Sequence, residues 1–328
     1  MNNRRKLIVA LGAAALVAPL SPSAQPQTKI WRIGFLQAGI RPADGLPPAS
    51  LRQALAELGY VDGKNVAYEG RWAEGKLARL PELAADLVQR RVDVIVVLGW
   101  PPAQAAKAAT TTIPIVTAGA GDPVKSGLVA SMARPGGNLT GVSDMAIELS
   151  AKRLELLKET VPKASKIAIM WNEDDLGMTL RYREVDRAAR ILGVAVQALG
   201  VREPDDFNAA FTAMNRERPD ALVLVTDSLT NLNRKKVMEY AESHRIPVMY
   251  EFSSFVQDGG LMSYGADNND NFRRVAYFVD RIFKGTKPAD LPMEQPTRYY
   301  LYLNLKTAKA LGMKFPDSIM LRADKLIE

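Results

Sequence analysis

The residues of this 328-residue chain best suited to chemistry with a small molecule are three carboxylates and a set of aromatic side chains. Asp122, Asp227 and Glu251 can hold an ammonium group, and Trp100, Trp171, Tyr250 and Tyr264 can stack on a flat apolar group or a cation. Gln37, Ala38, Gly99, Pro101, Asn172, Thr226 and Ser228 stand beside them in the sequence, each just past an apolar run. Several also fit quieter roles. Asp122 before Pro123 and Asp227 before Ser228 fit helix caps, Trp171 and Tyr264 fit a core, and Gln37 and Asn172 fit residues that satisfy backbone groups at strand ends.

Catalytic constellations are missing. His244 is the single histidine and precedes a strand, the wrong end for a Ser-His-Asp triad. There is no cysteine, which excludes disulfides, thiolate metal sites and a cysteine nucleophile. No Gly-x-Ser-x-Gly elbow and no Gly-Lys-Ser/Thr phosphate loop occurs, and Gly119-Ala-Gly121-Asp-Pro-Val124 lacks the third glycine of a dinucleotide fingerprint. Asp267-Asn-Asn-Asp-Asn271 lacks the glycine and terminal glutamate of a calcium loop. The sequence therefore predicts a non-enzyme that uses neither cofactor nor metal.

The elements that must position the candidates follow a repeated phrase. Residues 92–98 form a short β-branched run, which fits a strand buried on both faces. Gly99-Trp100 makes a turn, Pro101 and Pro102 fit a first helical turn, and an Ala-rich helix leads to a strand at 113–117. The phrase returns at 219–227, followed by a helix over 229–242 and a strand at 246–249. Around these, alternation predicts strands at 29–37, 65–68, 166–172, 194–198, 260–264 and 299–303. Helices are expected at 51–58, 77–90, 124–132, 147–160, 180–192, 204–214 and 271–283, with a last one from 305. This is an α/β chain with doubly wound parallel sheets. In such sheets ligands lie beyond the carboxyl ends of the strands, where the candidate residues fall. Asp93 and Asp220 open the two copies at the opposite ends and read as structural. The helices starting near Pro101 and Asp122 would point positive dipole ends at a ligand carboxylate, although proline removes some of the donors.

The N-terminus reads as an export signal: Arg4, Arg5 and Lys6, an apolar run over 7–20, and small residues up to Ala24, the expected cut. The arginine pair fits both a Sec and a twin-arginine signal. That signal supplies three of the seven net positive charges, and the remaining bases are interspersed with acids, so no nucleic-acid footprint is present. A periplasmic location follows.

Several stretches together resemble a known family. They are the Ile33-Gly-Phe-Leu-Gln37 opening, Asp93 to Val97, Ile113-Pro-Ile-Val116, Asp122-Pro-Val-Lys-Ser-Gly-Leu-Val129, Arg134-Pro-Gly-Gly-Asn-Leu-Thr-Gly141, Gly259-Gly-Leu-Met-Ser-Tyr-Gly265 and Asn304-Leu-Lys-Thr-Ala-Lys-Ala-Leu-Gly312. The chain is similar over nearly its whole mature length to substrate-binding proteins of bacterial ABC uptake systems, in the group labelled tryptophan/tyrosine transporters. The resemblance implies a type I periplasmic-binding-protein fold, with two lobes joined by a three-crossover hinge and a ligand in the cleft. The lobes would comprise residues 29–145 with about 266–290, and 146–265 with about 291–328. It also implies a monomer that captures an amino acid or similar carboxylate and delivers it to an inner-membrane permease. An exported sensor for a membrane receptor fits the same features; an exported α/β enzyme fits them less. Where many members carry small hydroxyl residues, this chain has Gly99-Trp100.

Overall fold

The computed structural model describes residues 29–143 and 146–328, so the expected export signal lies outside the described residues. The first lobe runs β1 (Trp31–Gln37), α1 (Ala49–Glu57), β2 (Val66–Trp72), α2 (Leu80–Gln89), β3 (Val94–Val97), α3 (Trp100–Ala109), β4 (Ile115–Thr117) and β5 (Leu139–Gly141). Its sheet has the order β2-β1-β3-β4-β5, with every pairing parallel. The four residues of β3 are buried on both faces, which is why the sequence there is a continuous Val-Ile-Val-Val run. Burying each such side chain contributes about 1.5–3 kcal/mol.

The second lobe opens with α4 (Ala146–Thr160), β6 (Lys166–Asn172), α5 (Leu176–Ile191), β7 (Ala195–Val201), α6 (Asp206–Arg216) and β8 (Ala221–Leu224). It continues through α7 (Ser228–Leu232), α8 (Arg234–Ser243), β9 (Val248–Tyr250), α9 (Ser253–Gln257) and β10 (Met262–Gly265). The chain then returns to the first lobe for α10 (Asn268–Phe283). Phe272, Val275, Phe278 and Val279 of that helix share a core with Ile33, Phe35 and α1, and Phe283 stacks on Trp31 at 4.1 Å. It finishes in the second lobe with β11 (Tyr300–Asn304), α11 (Leu305–Ala310), α12 (Asp317–Met320) and β12 (Lys325–Ile327). The second sheet has the order β12-β11-β10-β9-β8-β6-β7, parallel except for β10 against β11.

Three passages between lobes result. Two of them run side by side: Ser143 N donates to Glu294 O at 2.8 Å, and Glu294 N to Gly141 O at 2.9 Å. Leu291 and Met293 still pack in first-lobe cores. This is the type I periplasmic-binding-protein fold.

Local differences from the sequence reading have physical causes. The helix expected over 124–132 is a series of turns: Leu128 N and Val129 N both return to Pro123 O, which closes a compact loop instead of a helical ladder. The segment 229–242 is two helices, because Asn233 interrupts it and its side chain bonds back to Leu229 O. Helix α5 starts at Leu176, a turn earlier than expected, because Asp175 caps it. Asp93 and Asp220 tie down strand starts: Arg32 N donates to Asp93, and Ser165 N and Lys166 N donate to Asp220. Those two backbone donors hold the Asp220 carboxyl below its usual range.

Candidate functional site

The loops after β1 and β3 face the loops after β6, β8 and β9 across a cavity of about 220 Å³, room for a small molecule and not for a polymer. The first lobe brings Gln37, Ala38, Gly39, Leu98, Gly99, Trp100, Pro101 and Pro102 to it, and no charged group. Gly99 adopts φ +86°, a left-handed conformation that turns β3 sharply into α3 and sets Trp100 at the helix start. Trp100 is half-buried, and its Nε1 is buried without a hydrogen-bond partner. The second lobe brings Asp175, Met178, Arg181, Thr226, Asp227, Ser228 and Phe252.

The two walls touch beside the cavity. A Cβ on Gly177, in the first turn of α5, would lie 3.6 Å from Trp100 Cβ. A Cβ on Gly75 of the first lobe would lie 2.6 Å from Leu232 Cδ1 of α7. The second approach needs glycine, whereas the first is ordinary van der Waals spacing.

Of the residues singled out by sequence, Gln37, Ala38, Gly99, Trp100, Pro101, Thr226, Asp227 and Ser228 border the cavity. Asn172 stands behind it: its Nδ2 donates to Asp227 Oδ2 at 2.6 Å. Asp227 also caps α7, its Oδ1 accepting Thr230 N at 2.9 Å. The others lie elsewhere. Asp122 closes its own turn, accepting Val124 N and Lys125 N and pairing with Lys125 Nζ at 3.2 Å. Trp171 is core, stacked on Tyr182 at 3.8 Å, because alternation along β6 turns it towards α5 while Asn172 faces the other way. Tyr250 is buried on the opposite face against Phe255 at 5.1 Å, and burial pushes its hydroxyl well above its ordinary range. Tyr264 packs against the second-lobe core beside Tyr299.

Glu251 has a different job from the one its charge suggested. At 2% exposure it accepts from Arg153 Nη1 at 3.0 Å and Arg181 Nη1 at 2.6 Å, while Arg153 Nε donates to Tyr264 O. A carboxylate engaged by two guanidiniums is not available to an ammonium. The partners come from α4 and α5, 98 and 70 positions away, so no local pattern signals them.

Asp175, which the reading of strand ends does not single out, is a further candidate at the cavity. It is 2% exposed, and its Oδ1 accepts Gly177 N at 2.8 Å and Met178 N at 3.3 Å. Burial pushes its carboxyl up to about 6, helped by the charge of Asp227 and opposed by Arg181. The available signal was an Asp two residues before a glycine at a helix start. Among the described residues no cluster could hold a metal ion. His244 ends α8, its ring stacked on Tyr240 and Nδ1 2.9 Å from Tyr240 O.

A sequence profile described as "ABC transporter substrate binding protein" matches residues 47–327. The chain belongs to that family. It is 28% identical over 283 residues to a tyrosine-binding protein of Clostridioides difficile strain R20291, an alignment spanning 86% of this chain and 81% of that one. It superposes with TM-score 0.83 on a Streptococcus pneumonia structure in complex with L-Trp, at 26% identity over 91% of this chain and 100% of the other. Against a ligand-free, open substrate-binding protein with adhesive properties from Clostridium difficile the TM-score is 0.65, at 27% identity over 91% and 99%. At 26% and 27% identity respectively, this member of the family superposes better on the liganded relative than on the open one.

Proposed function

We propose that this chain is the exported, periplasmic ligand-capturing component of an ABC uptake system and that its ligand is an amino acid with an aromatic or large apolar side chain. The observation that carries this reading is a cavity walled by both lobes, apolar on one side and ionic on the other. Trp100, Pro101, Pro102 and Leu77 offer a flat apolar surface for the side chain. The polar wall of Asp175, Asp227, Ser228 and Thr226 offers partners for the charged end. The L-Trp and tyrosine relatives support the same class. Closure brings the walls together at Trp100–Gly177 and Gly75–Leu232, and the changed outer surface is what a permease reads.

Among the described residues no helix is long and apolar enough to cross a membrane. Deleting residues 1–24 is expected to leave the protein in the cytoplasm on cell fractionation. A thermal-shift screen of the purified chain against amino acids and small carboxylates tests the ligand class. Stabilisation by an aromatic amino acid is expected, and a panel without any shift refutes it.

A further inference from the structure

The ionic balance of the cavity sharpens the ligand class. Among the described residues, the ionisable side chains at the cavity are Asp175, Arg181 and Asp227, all on the second lobe. Arg181 is engaged by Glu251, which also takes Arg153. Both oxygens of Asp227 already accept: Oδ1 from Thr230 N and Oδ2 from Asn172 Nδ2. Asp175 differs. Its Oδ1 serves as the cap of α5, whereas its Oδ2 accepts no hydrogen bond from the described residues, although the residue is 2% exposed and lines the cavity. An anionic oxygen that meets the cavity without a protein donor is open to a charge-assisted hydrogen bond from a ligand cation.

The opposite wall offers an anion only neutral donors, the Trp100 indole N–H and the Gln37 amide. It carries no charged side chain, and α3 begins Trp100-Pro101-Pro102, so two of its first three residues have no N–H. The second lobe's Gly177 and Met178 N–H groups are occupied by Asp175 Oδ1. Among the described residues that line the cavity, Asp175, Asp227 and Arg181 carry one more negative than positive charge when ionised. A zwitterion leaves that excess in place, and a monocation cancels it.

We propose that Asp175 Oδ2 anchors the ligand's amine and that the amine, not the carboxylate, carries recognition, so that arylalkyl amines without a carboxyl group are also ligands of this chain. This rests on the aromatic amino-acid reading above and extends it to a substrate class. The ammonium sits against Asp175, the aromatic body lies along Trp100 and the prolines, and the carboxylate adds little. The groups acting on Asp175 are Asp227 from the β8–α7 loop and Arg181 from its own helix; the first-lobe residue beside it, Trp100, is uncharged. Because an ionised Asp175 is required, amine affinity weakens as pH falls below about 6.

Calorimetric titration of the purified full chain with L-tyrosine, L-tryptophan, tyramine, tryptamine and 3-(4-hydroxyphenyl)propanoate tests the assignment. At least one amine is expected to bind within about tenfold of its parent amino acid, and the deaminated acid to bind at least about a hundredfold more weakly. Asp175→Asn, which keeps an acceptor for the helix cap, is expected to weaken amine binding at least about tenfold while the ligand-free fold survives. Amino acids binding while both amines fail would overturn the inference alone. So would an acid that matches the amines, or an Asp175→Asn variant with unchanged amine affinity. If none of the five compounds binds, the aromatic amino-acid reading falls and takes this inference with it.

Discussion

The turns after β3 and after β8 are copies of one phrase, an apolar strand, a turn and a helix, yet they contribute opposite chemistry. After β3 comes a glycine at φ +86° and a helix start with no side-chain cap. After β8 comes Asp227 with a reciprocal capping box to Thr230. The first turn presents an indole and two proline rings; the second presents a carboxylate already held by Asn172. One scaffold position thus supplies a neutral surface in one lobe and fixed charge in the other. The ionic wall needs support behind it, because buried charges are tolerated only when paired. The apolar wall needs none, which is why the two walls should respond differently to substitution.

The largest expected effect lies behind the ionic wall. Glu251→Ala removes the carboxylate that Arg153 and Arg181 share in a buried site and should destabilise the second lobe by about 3–5 kcal/mol, measured by urea unfolding. A loss below about 1 kcal/mol would mean that the three charges do not support one another.

Asp175 comes next and carries a sign. Its carboxyl titrates at about 6 in the folded chain against an ordinary 3.8. Between those values the native state holds the extra proton, so stability falls as pH rises through the window. Asp175→Asn should therefore stabilise the ligand-free chain by on the order of 2 kcal/mol at pH 8 and by almost nothing at pH 4. Equal effects at both pH values would refute the burial of that charge.

On the apolar wall, Trp100→Ala should weaken ligand binding at least tenfold, about 1.4 kcal/mol or more, with little change in unfolding midpoint. Unchanged affinity would remove Trp100 from the site. The smallest effect is expected outside the cavity. Asp122→Ala should cost about 1 kcal/mol of stability and leave affinity untouched, since that carboxylate caps its own turn. A drop in affinity there would bring the turn into the binding wall.

Much of this was legible in the residues. The β-branched runs at β3 and β8, the glycine and proline punctuation and the recurrence of the phrase define two parallel-sheet lobes. The strand-end residues Gln37, Trp100, Thr226 and Asp227 were readable as candidates because in such sheets the C-terminal ends gather at one edge. Trp171 and Asn172 show where that reasoning stops. They are neighbours at one strand end, but alternation sends one into the core with Tyr182 and the other behind Asp227.

By itself, then, the sequence determined the order of strands and helices and the edge at which a ligand would lie, because these depend on hydrophobic period and turn chemistry over short spans. Only the tertiary structure decided which carboxylate at that edge stays open. Glu251 is closed by arginines 98 and 70 positions away, Asp122 by its own turn, and Asp227 by Asn172 from the neighbouring strand. Asp175 keeps one oxygen without a donor because its helix cap uses only the other. Which oxygen finds a partner depends on distances between residues far apart in the chain, and periodicity does not encode those.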